Sequence, residues 1–469
     1  MGIEEILAAS TGDKIKDAVE SIRKATLTKK EDVDKFKKQY KPSGHEVLEE
    51  GLRPDKPIKD ANGNIASYEK VNRLPVPLQK KVVNSMVSFT FGNPVELQCE
   101  PASEGEKGVL KAVKRVLFDN KTPTFNRKIA RELGRCTEVA ELWFPVTVEK
   151  HNTYGFETTF KLRVVMLSPW GGNALYPLFD GTGDMVAICR EYKAKKAEDK
   201  EITRMDIYTN DKVIKWMQDG DSWAQESSEA NMLGKIPIVY GKQEEVEWSD
   251  VQYCIDRLEK LLSNFGDTND YHAAPKIFIE GKILGFAKKG ESGAIIEGEP
   301  GSKAQYLSWA HAPESVKLEV ETLLRFIYSF TQTPDISFDS VKGLQAISGE
   351  ALKMLFMDAH LKVQDKREIF DEYLQRRLSI VKTFVGKFNN KWTTDADNLM
   401  IVPEIVPYII KSDKEEVEML TAANGNKPLI SHEESVRRAG LTEKPEEDFS
   451  KIQQEQKEQA KTDLFNPAE

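Results

Sequence analysis

The nearest approach to a phosphate-binding loop is Gly298-Glu299-Pro300-Gly301-Ser302-Lys303. A working loop needs a Gly-Lys-Ser/Thr order, which sets the lysine on the phosphates and the hydroxyl on Mg²⁺, and then a helix. Here serine precedes lysine and an extended run follows, so no nucleotide chemistry is expected. The histidines, His45, His151, His272, His311, His360 and His432, form no HxxxH or HxH pair that would preset a metal site. There is no GxSxG elbow, and no cysteine stands in a nucleophile context. Cys99, Cys136, Cys189 and Cys254 are scattered without a CxxC pair, the pattern of buried free thiols in a reducing compartment rather than of a disulfide frame or zinc site. Asp267, Asp270 and His272 lie close enough in sequence to suggest a ligand set, but a polar helix cap and loop is the expected reading. Trp170, Trp248 and Trp309 could stack on a ligand; packing in the core or between subunits is expected instead. With 76 acidic residues, pairs of carboxylates carry no information. No catalytic residue, cofactor or metal follows.

The composition sets bounds on what remains. A chain of 469 residues predicts about three domain-sized units, or fewer if distant segments share a core. Hydrophobic residues make up 39% and charged residues 30%, enough for a sizeable core without disulfides or metal. The mean hydropathy of -0.50 predicts an elongated shape, mobile segments or both. A net charge of -9 argues against a protein that grips nucleic acid over a broad basic face. It leaves room for one past which nucleic acid slides. The start, MGIEEILAAS, is acidic where a signal peptide is basic, and Ile6 stands where a myristoylation signal needs Ser or Thr. No run approaches a membrane span. A soluble cytoplasmic chain is expected.

The elements can be read from periodicity. Residues 1–70 are Lys-rich and broken by Pro42, Gly44, Gly51, Pro54 and Pro57, which predicts one or two short helices and a long arm. Val83, Met86, Val87 and Thr90 mark a helix that Phe91-Gly92-Asn93-Pro94 stops. Alternation over 94–99 predicts a strand, and helices follow over about 105–118 and 125–137. Between 139 and 240, five runs rich in Val, Ile, Phe and Tyr are separated by turns such as Asp180-Gly181-Thr182-Gly183-Asp184, an antiparallel meander. Val251, Ile255, Leu258, Leu262 and Phe265 predict a one-sided helix ending near Gly266. A Gly-rich insert of short strands covers 275–312. A second one-sided helix carries Val316, Val320, Leu323, Ile327 and Phe330, with Lys317, Glu321 and Arg325 on its other face and Glu321–Arg325 at favourable spacing. Residues 331–343 read as a loop. A long helix from Gly349 to Lys391 carries Phe370, Leu374, Leu378, Val381, Val385 and Phe388. Two capping boxes, Ser412-x-x-Glu415 and Ser431-x-x-Glu434, start short helices stopped by Gly425 and Gly440, and beyond Thr442 a tail that is mobile or helical only in the assembly is expected. The fold class expected is α+β, mainly helical, with an antiparallel β-rich part.

This order of parts resembles the siphophage type of tailed-bacteriophage portal protein. Asn72-Arg73-Leu74-Pro75-Val76-Pro77 running to Phe91-Gly92-Asn93-Pro94-Val95 is similar to that family's wing helix and its close. Thr333-Pro334-Asp335 followed by Ser348-Gly349-Glu350-Ala351-Leu352-Lys353 is similar to its tunnel-loop region, and Ile430-Ser431-x-x-Glu434 with Glu446-Glu447-Asp448 and Glu455 to its crown. The resemblance spans most of 70–460 and departs at the N-terminal arm and a short crown. It implies an arm over 1–70, a wing over 71–245, a stem helix over 246–274, a clip over 275–312 and a second stem helix over 313–332. A tunnel loop would cover 333–347, a long tunnel helix with a wing return strand 348–411, and crown-like helices and a mobile tail 412–469. It further implies a ring, usually of twelve copies, at a capsid vertex in the virion, assembled in the host cytoplasm. Double-stranded DNA would pass through it, and its partners would be the terminase large subunit, a head-tail adaptor, and capsid and scaffold proteins, with no membrane. On this resemblance Asp335, Ser337, Asp339, Lys342 and Gln345 would meet the DNA channel, Lys317, Glu321 and Arg325 would face it from the stem, and Lys282, Lys288, Lys289 and Trp309 would mark the clip. Two other readings are weighed against it. A packaging ATPase needs the phosphate loop that is missing, and another head structural or adaptor subunit would generally be shorter and lack the long helix.

Overall fold

The computed structural model describes residues 2–24, 30–195, 201–273, 276–281, 283–285, 297–307, 312–335, 354, 356–408, 413–425, 428–442 and 444–465. The chain divides into two compact units, one of residues 1–335 and 358–407, the other of 336–357 and 408–469. The first opens with helices α1 (Ile3–Leu7), α2 (Gly12–Lys24) and α3 (Lys30–Tyr40) and a hairpin of β1 (Lys56–Lys59) and β2 (Ile65–Glu69). It continues through α4 (Leu78–Phe91), β3 (Glu96–Gln98), α5 (Glu104–Asp119) and α6 (Thr122–Cys136). Eight strands follow: β4 (Glu138–His151), β5 (Thr158–Leu167), β6 (Asn173–Phe179), β7 (Met185–Lys195), β8 (Glu201–Thr209), β9 (Lys212–Asp219), β10 (Ser222–Ala230) and β11 (Ile238–Lys242). Then come α7 (Gln252–Ala273), the ribbon strands β12 (Lys276–Glu280), β13 (Ile283–Gly285), β14 (Glu297–Gly298) and β15 (Lys303–Leu307), and α8 (Ala312–Phe330). The long α9 (Met357–Phe388), α10 (Thr393–Asn398) and β16 (Val402–Glu404) complete it.

The expected single meander is two sheets. β6 to β10 form a meander in the order β10-β9-β8-β7-β6, whereas β4 pairs with β5 and with β11 in a separate three-stranded sheet. The break falls at Ser168, whose hydroxyl accepts from the Gly171 N–H and winds the chain through a short 3₁₀ turn after β5. The larger sheet is buried on both faces, as the alternation of side chains along a strand allows. Ala187, Cys189, Met205 and Ile207 pack on one side with Ile15, Ala18, Val19 and Ile22 of α2. Leu175, Ile188 and Tyr208 pack on the other against Ala140, Leu142 and Ile238 of the smaller sheet.

Residues 1–70 therefore differ from the arm of one or two short helices that their composition predicts. There are three helices, and α2 seals one face of the sheet. Its stripe at 15, 18, 19 and 22 is fully buried, and each of the three β-branched members contributes roughly 1.5–3 kcal/mol by burial. Arg23 locks the register by donating twice to Glu191 on β7, at 2.6 and 3.1 Å.

α9 runs for 32 residues, about 48 Å at 1.5 Å per residue. The stripe Phe370, Leu374, Leu378, Val381 and Val385 is buried as expected. The helix stops at Phe388, where the Asn389 side chain accepts from the Lys391 N–H and begins a 3₁₀ turn. Its expected beginning at Gly349 lies outside the described residues. β16 returns to pair antiparallel with β3. The insert after α7 is a β-ribbon, β12 pairing antiparallel with β15 and β13 with β14. The Gly298–Lys303 segment is thus a strand–turn–strand connection. All four cysteines are free; Cys136 and Cys189 are buried, whereas Cys99 and Cys254 are partly exposed. Burial pushes the Cys136 thiol up to about 12.

The second unit contains α11 (Asp413–Ala423), α12 (His432–Ala439) and α13 (Pro445–Phe465). Ser431 caps α12 by accepting from the Glu434 N–H, and Gly440 ends it with φ +62°. The Glu434 carboxylate is held by Arg437 and Arg438, which bring it down to about 2. Pro445–Phe465, within the stretch expected to be mobile or helical only in the assembly, forms α13. The Ser412 box begins outside the described residues.

Candidate functional site

The segment leading into α7 is fixed by a buried carboxylate. The Glu247 N–H donates to the Gly134 carbonyl at 3.0 Å. Its side chain meets two ammonium groups of α9, Lys362 at 2.8 Å and Lys366 at 2.5 Å. Burial opposes the charge on Glu247, but the two lysines outweigh it and hold the carboxyl below the ordinary range. Fifteen residues along α9, Arg377 forms a second buried centre. It donates to both oxygens of Glu141 on β4, at 2.8 and 2.7 Å, and to Asn126 on α6. Trp143 donates to the same Glu141 at 2.9 Å. Burial alone would lower the Arg377 pKa; Glu141 reverses this and raises it, so the guanidinium stays charged.

α7 is used on two sides. Val251, Ile255 and Leu258 are buried as its apolar stripe predicts, while Leu262 and Phe265 are partly covered. A polar stripe, Glu259, Ser263 and Asp267, receives an extended stretch of chain on the other side. The N–H groups of Val76, Leu74 and Asn72 donate in turn to Glu259 at 2.7 Å, Ser263 at 3.0 Å and Asp267 at 2.6 Å. The spacing explains why this ladder closes. Two residues of extended chain advance about 6.6 Å and four residues of helix about 6 Å, so alternate amides meet every fourth helical side chain. Pro75 and Pro77 bring no N–H of their own to this stretch. Asn72 also donates to Asp270, and Arg53 donates to Asp267 and to Asn264. Higher up the same face, buried His45 meets Glu259 at 2.5 Å.

Here the sequence expectation needs correction. α7 does not stop near Gly266 but continues to Ala273. Gly266 is a place of close approach, since a Cβ there would lie 3.2 Å from the Asn72 side chain. Asp267 and Asp270 are therefore anchors on a continuing helix rather than a cap; the His272 side chain lies outside the described residues. Replacing Asp267 with alanine should cost the local clasp about 2–3 kcal/mol. Hydrogen exchange at the Asn72, Leu74 and Val76 amides should then rise roughly 30-fold or more.

α8 packs on α7, and Arg257 bridges to Glu319 at 2.7 Å. Ile327 is fully buried, but Phe330, expected in the apolar stripe, is 60% exposed and stacks on exposed Phe326 with 5.6 Å between ring centroids. Leu318 and Tyr253 also lie exposed. On the charged face Glu321 pairs with Lys317 at 3.8 Å rather than with Arg325, whose guanidinium sits 6.0 Å from the Phe326 ring. All three side chains are exposed.

The loop after α8 starts from a firm base. Gln332 is left-handed at φ +52°. Its N–H donates to Ser329 and that of Thr333 to Tyr328, which closes the helix end. Thr331 and Thr333 are buried and joined through their hydroxyls at 2.9 Å. Asp335 is half-exposed 4.0 Å from Lys81 of α4, and Lys81 donates to the Tyr328 hydroxyl at 2.8 Å. Because a left-handed glutamine is strained where glycine is not, Gln332→Gly should stabilise this base by about 0.5–1 kcal/mol, seen as a higher melting temperature.

Of the residues singled out from sequence, Asp335, Lys317, Glu321 and Arg325 are described. Ser337, Asp339, Lys342 and Gln345 of the loop and Lys282, Lys288, Lys289 and Trp309 of the insert lie outside the described residues. Trp170 and Trp248 are packing residues around Tyr40, at 5.5 and 5.6 Å. Sequence reasoning missed Glu247, Glu259, Ser263, Arg377 and their partners; the 259, 263, 267 spacing was the available signal. Among the described residues no three His, Cys, Asp or Glu side chains gather as a metal site, and no helix is long and apolar enough to cross a membrane.

Comparison with curated proteins finds no match. Among solved structures the chain is similar to one in the neck of an empty gene transfer agent particle computed with C6 symmetry. Identity is 13% over 78% of this chain and 90% of that one, with a TM-score of 0.42. It is also similar to one in the neck of the native particle computed with C12 symmetry, at 11% identity over 77% and 90% and a TM-score of 0.37. A third, from the virion of the native particle, has 12% identity over 78% and 88% and a TM-score of 0.36. At these scores the likenesses carry no part of the assignment. The sequence pattern of the family described as "Phage portal protein, SPP1 Gp6-like" matches residues 20–462, nearly the whole chain. The chain belongs to the phage portal protein family.

Proposed function

We propose that this portal protein works as one protomer of a closed ring through which double-stranded DNA enters and leaves the capsid of the virion. α7 and α8 form the stem, the β-ribbon between them the clip, and 333–347 the loop that reaches the channel. Lys317, Glu321 and Arg325 face the channel from the stem. In the loop, Lys342 touches phosphates briefly while Asp335 and Asp339 keep the contact weak, with Ser337 and Gln345 beside them. The clip, with Lys282, Lys288, Lys289 and Trp309, docks first the terminase large subunit and then a head-tail adaptor. Capsid and scaffold proteins surround a ring of twelve, assembled in the host cytoplasm. No catalytic step is assigned to it.

The observation that carries the ring is the apolar surface a single copy leaves in water on its one-sided stem helices: Tyr253, Leu318, Phe326 and Phe330. Phe326 and Phe330 stack on each other in the open; exposed apolar groups of this kind mark contact surfaces, and neighbouring copies would cover them. Electron microscopy of the purified protein tests the reading. Closed rings with a channel wide enough for a duplex are expected, and a stable monomer under all conditions would overturn it. Phe326→Ser with Phe330→Ser should weaken assembly by about tenfold or more per side chain, read as dissociation on dilution. Deleting 336–345 should leave rings intact but impair DNA packaging or retention; unchanged packaging would remove the loop from the mechanism.

A further inference from the structure

The acidic chain carries a local face of the opposite sign on α3, α4 and α6. On α6, Lys128 is exposed and Arg127 and Arg131 are partly exposed, and the helix's acidic residue, Glu132, is buried and engaged by Arg135 and Ser168. α4, packed beside it, contains Lys80 and Lys81 and no carboxylate. Arg131 reaches Asn84 of α4 at 3.5 Å, which joins the two helices into one surface. α3 extends it through aromatic rings. Lys80 lies 5.9 Å and Arg135 5.7 Å from the Tyr40 ring, and Arg135 and Lys37 lie 4.1 and 5.8 Å from that of Trp170. α3 also carries Glu31, Asp32 and Asp34 in its first half, with Asp34 one turn before Lys37.

These cations are not consumed by the fold. Among the described residues, no carboxylate lies within 4.0 Å of the charged nitrogens of Lys37, Lys80, Arg127, Lys128 or Arg131; Arg127 and Arg131 contact only the neutral side chains of Thr124 and Asn84. The Tyr40 and Trp170 rings hold the Lys80 and Lys37 side chains near the surface, which lowers the entropy those two lose when an anion binds. Five unpaired cations on three packed helices suit a repeating polyanion better than a single small one.

We propose that this α3–α4–α6 face binds the phosphate backbone of duplex DNA, at a place separate from the loop 333–347 and from Lys317, Glu321 and Arg325. The inference rests on the portal reading, which brings duplex DNA to the protein, and assigns it a second contact. Phosphate contact needs no base readout, so binding should be independent of sequence.

The test uses the full-length assembled protein with two DNA probes, a linear duplex and a covalently closed minicircle that has no end to thread. Wild-type binding is measured across a salt series, beside K37A/K80A/R131A and, separately, R127A/K128A, whose side chains pair with no carboxylate among the described residues. Each lost phosphate contact should flatten the slope of log affinity against log salt by about 0.9. The triple variant should therefore lose two to three units of slope and at least tenfold in affinity, and K37R/K80R should retain both. Loss on the minicircle places the bound DNA outside the channel; loss on the linear duplex alone places it within. An unchanged slope on both probes overturns the proposal. So does loss of ring assembly in the variants, which would make the face a contact between proteins. Rings that form and pass DNA with an unchanged slope refute this inference while leaving the portal reading intact.

Discussion

Arg377→Met should destabilise the first unit by about 3–5 kcal/mol, the range for removing one partner of a buried ion pair. The reason is what stays behind. Glu141 is fully buried on β4, and its carboxylate would lose a bidentate guanidinium and keep the single Trp143 N–H bond. Asn126 would lose its donor as well. Adding Glu141→Leu should restore most of the loss, since a well-packed apolar pair often equals a buried ionic one. Denaturant unfolding followed by the burial of Trp143 and Trp216 would measure both variants. A double variant as unstable as the single one would show that the cost lies in packing rather than in an uncompensated charge.

The second large effect depends on pH. Glu247→Gln removes the anion between Lys362 and Lys366, whose side chains are only 19% and 12% exposed. The start of α9 should lose about 3 kcal/mol of opening free energy at neutral pH, visible as faster hydrogen exchange over 359–366. The sign of the pH dependence follows from the lowered pKa of Glu247. A carboxyl held lower in the folded than in the unfolded chain contributes stability that is complete above its unfolded value, about 4.3, and is lost as pH falls through the folded one. The gap between wild type and variant should thus be constant from pH 7 to about 5 and should close below pH 4. A gap that persisted there would point to shape rather than charge.

What the sequence made legible follows the strength of its patterns. β4, β5, β7, β8 and β9 announce themselves through Val, Ile, Phe and Tyr. β6 and β10 do not, and both are edge strands of the five-stranded sheet. An edge tolerates Pro177 and the Gln-Glu-Ser-Ser run of 225–228, which read as loop. The one or two short helices expected in 1–70 were not placed, and α2 stayed unplaced although Ile15, Ala18, Val19 and Ile22 keep helical spacing, because its other positions are mostly charged and the stripe is narrow. Gly266 misled for a related reason: a glycine usually reads as a stop, and its use as a slot for Asn72 needs a partner 194 residues away. The buried charges were beyond reach altogether. Nothing near Glu141 in sequence marks it as the mate of Arg377, and Glu247 looks like one acid among many.

The ladder on α7 has a consequence for the order in which the chain takes shape. Its two sides lie 183 residues apart at Val76–Glu259 and 214 apart at His45–Glu259. A ribosome adding about 5–20 residues per second needs roughly 10–40 s to cover that interval. Throughout it the amides of Asn72, Leu74 and Val76 have only water to bond. Residues 45–76, made well before α7, therefore wait for it, and it is α7, once released from the ribosome, that gives them their place.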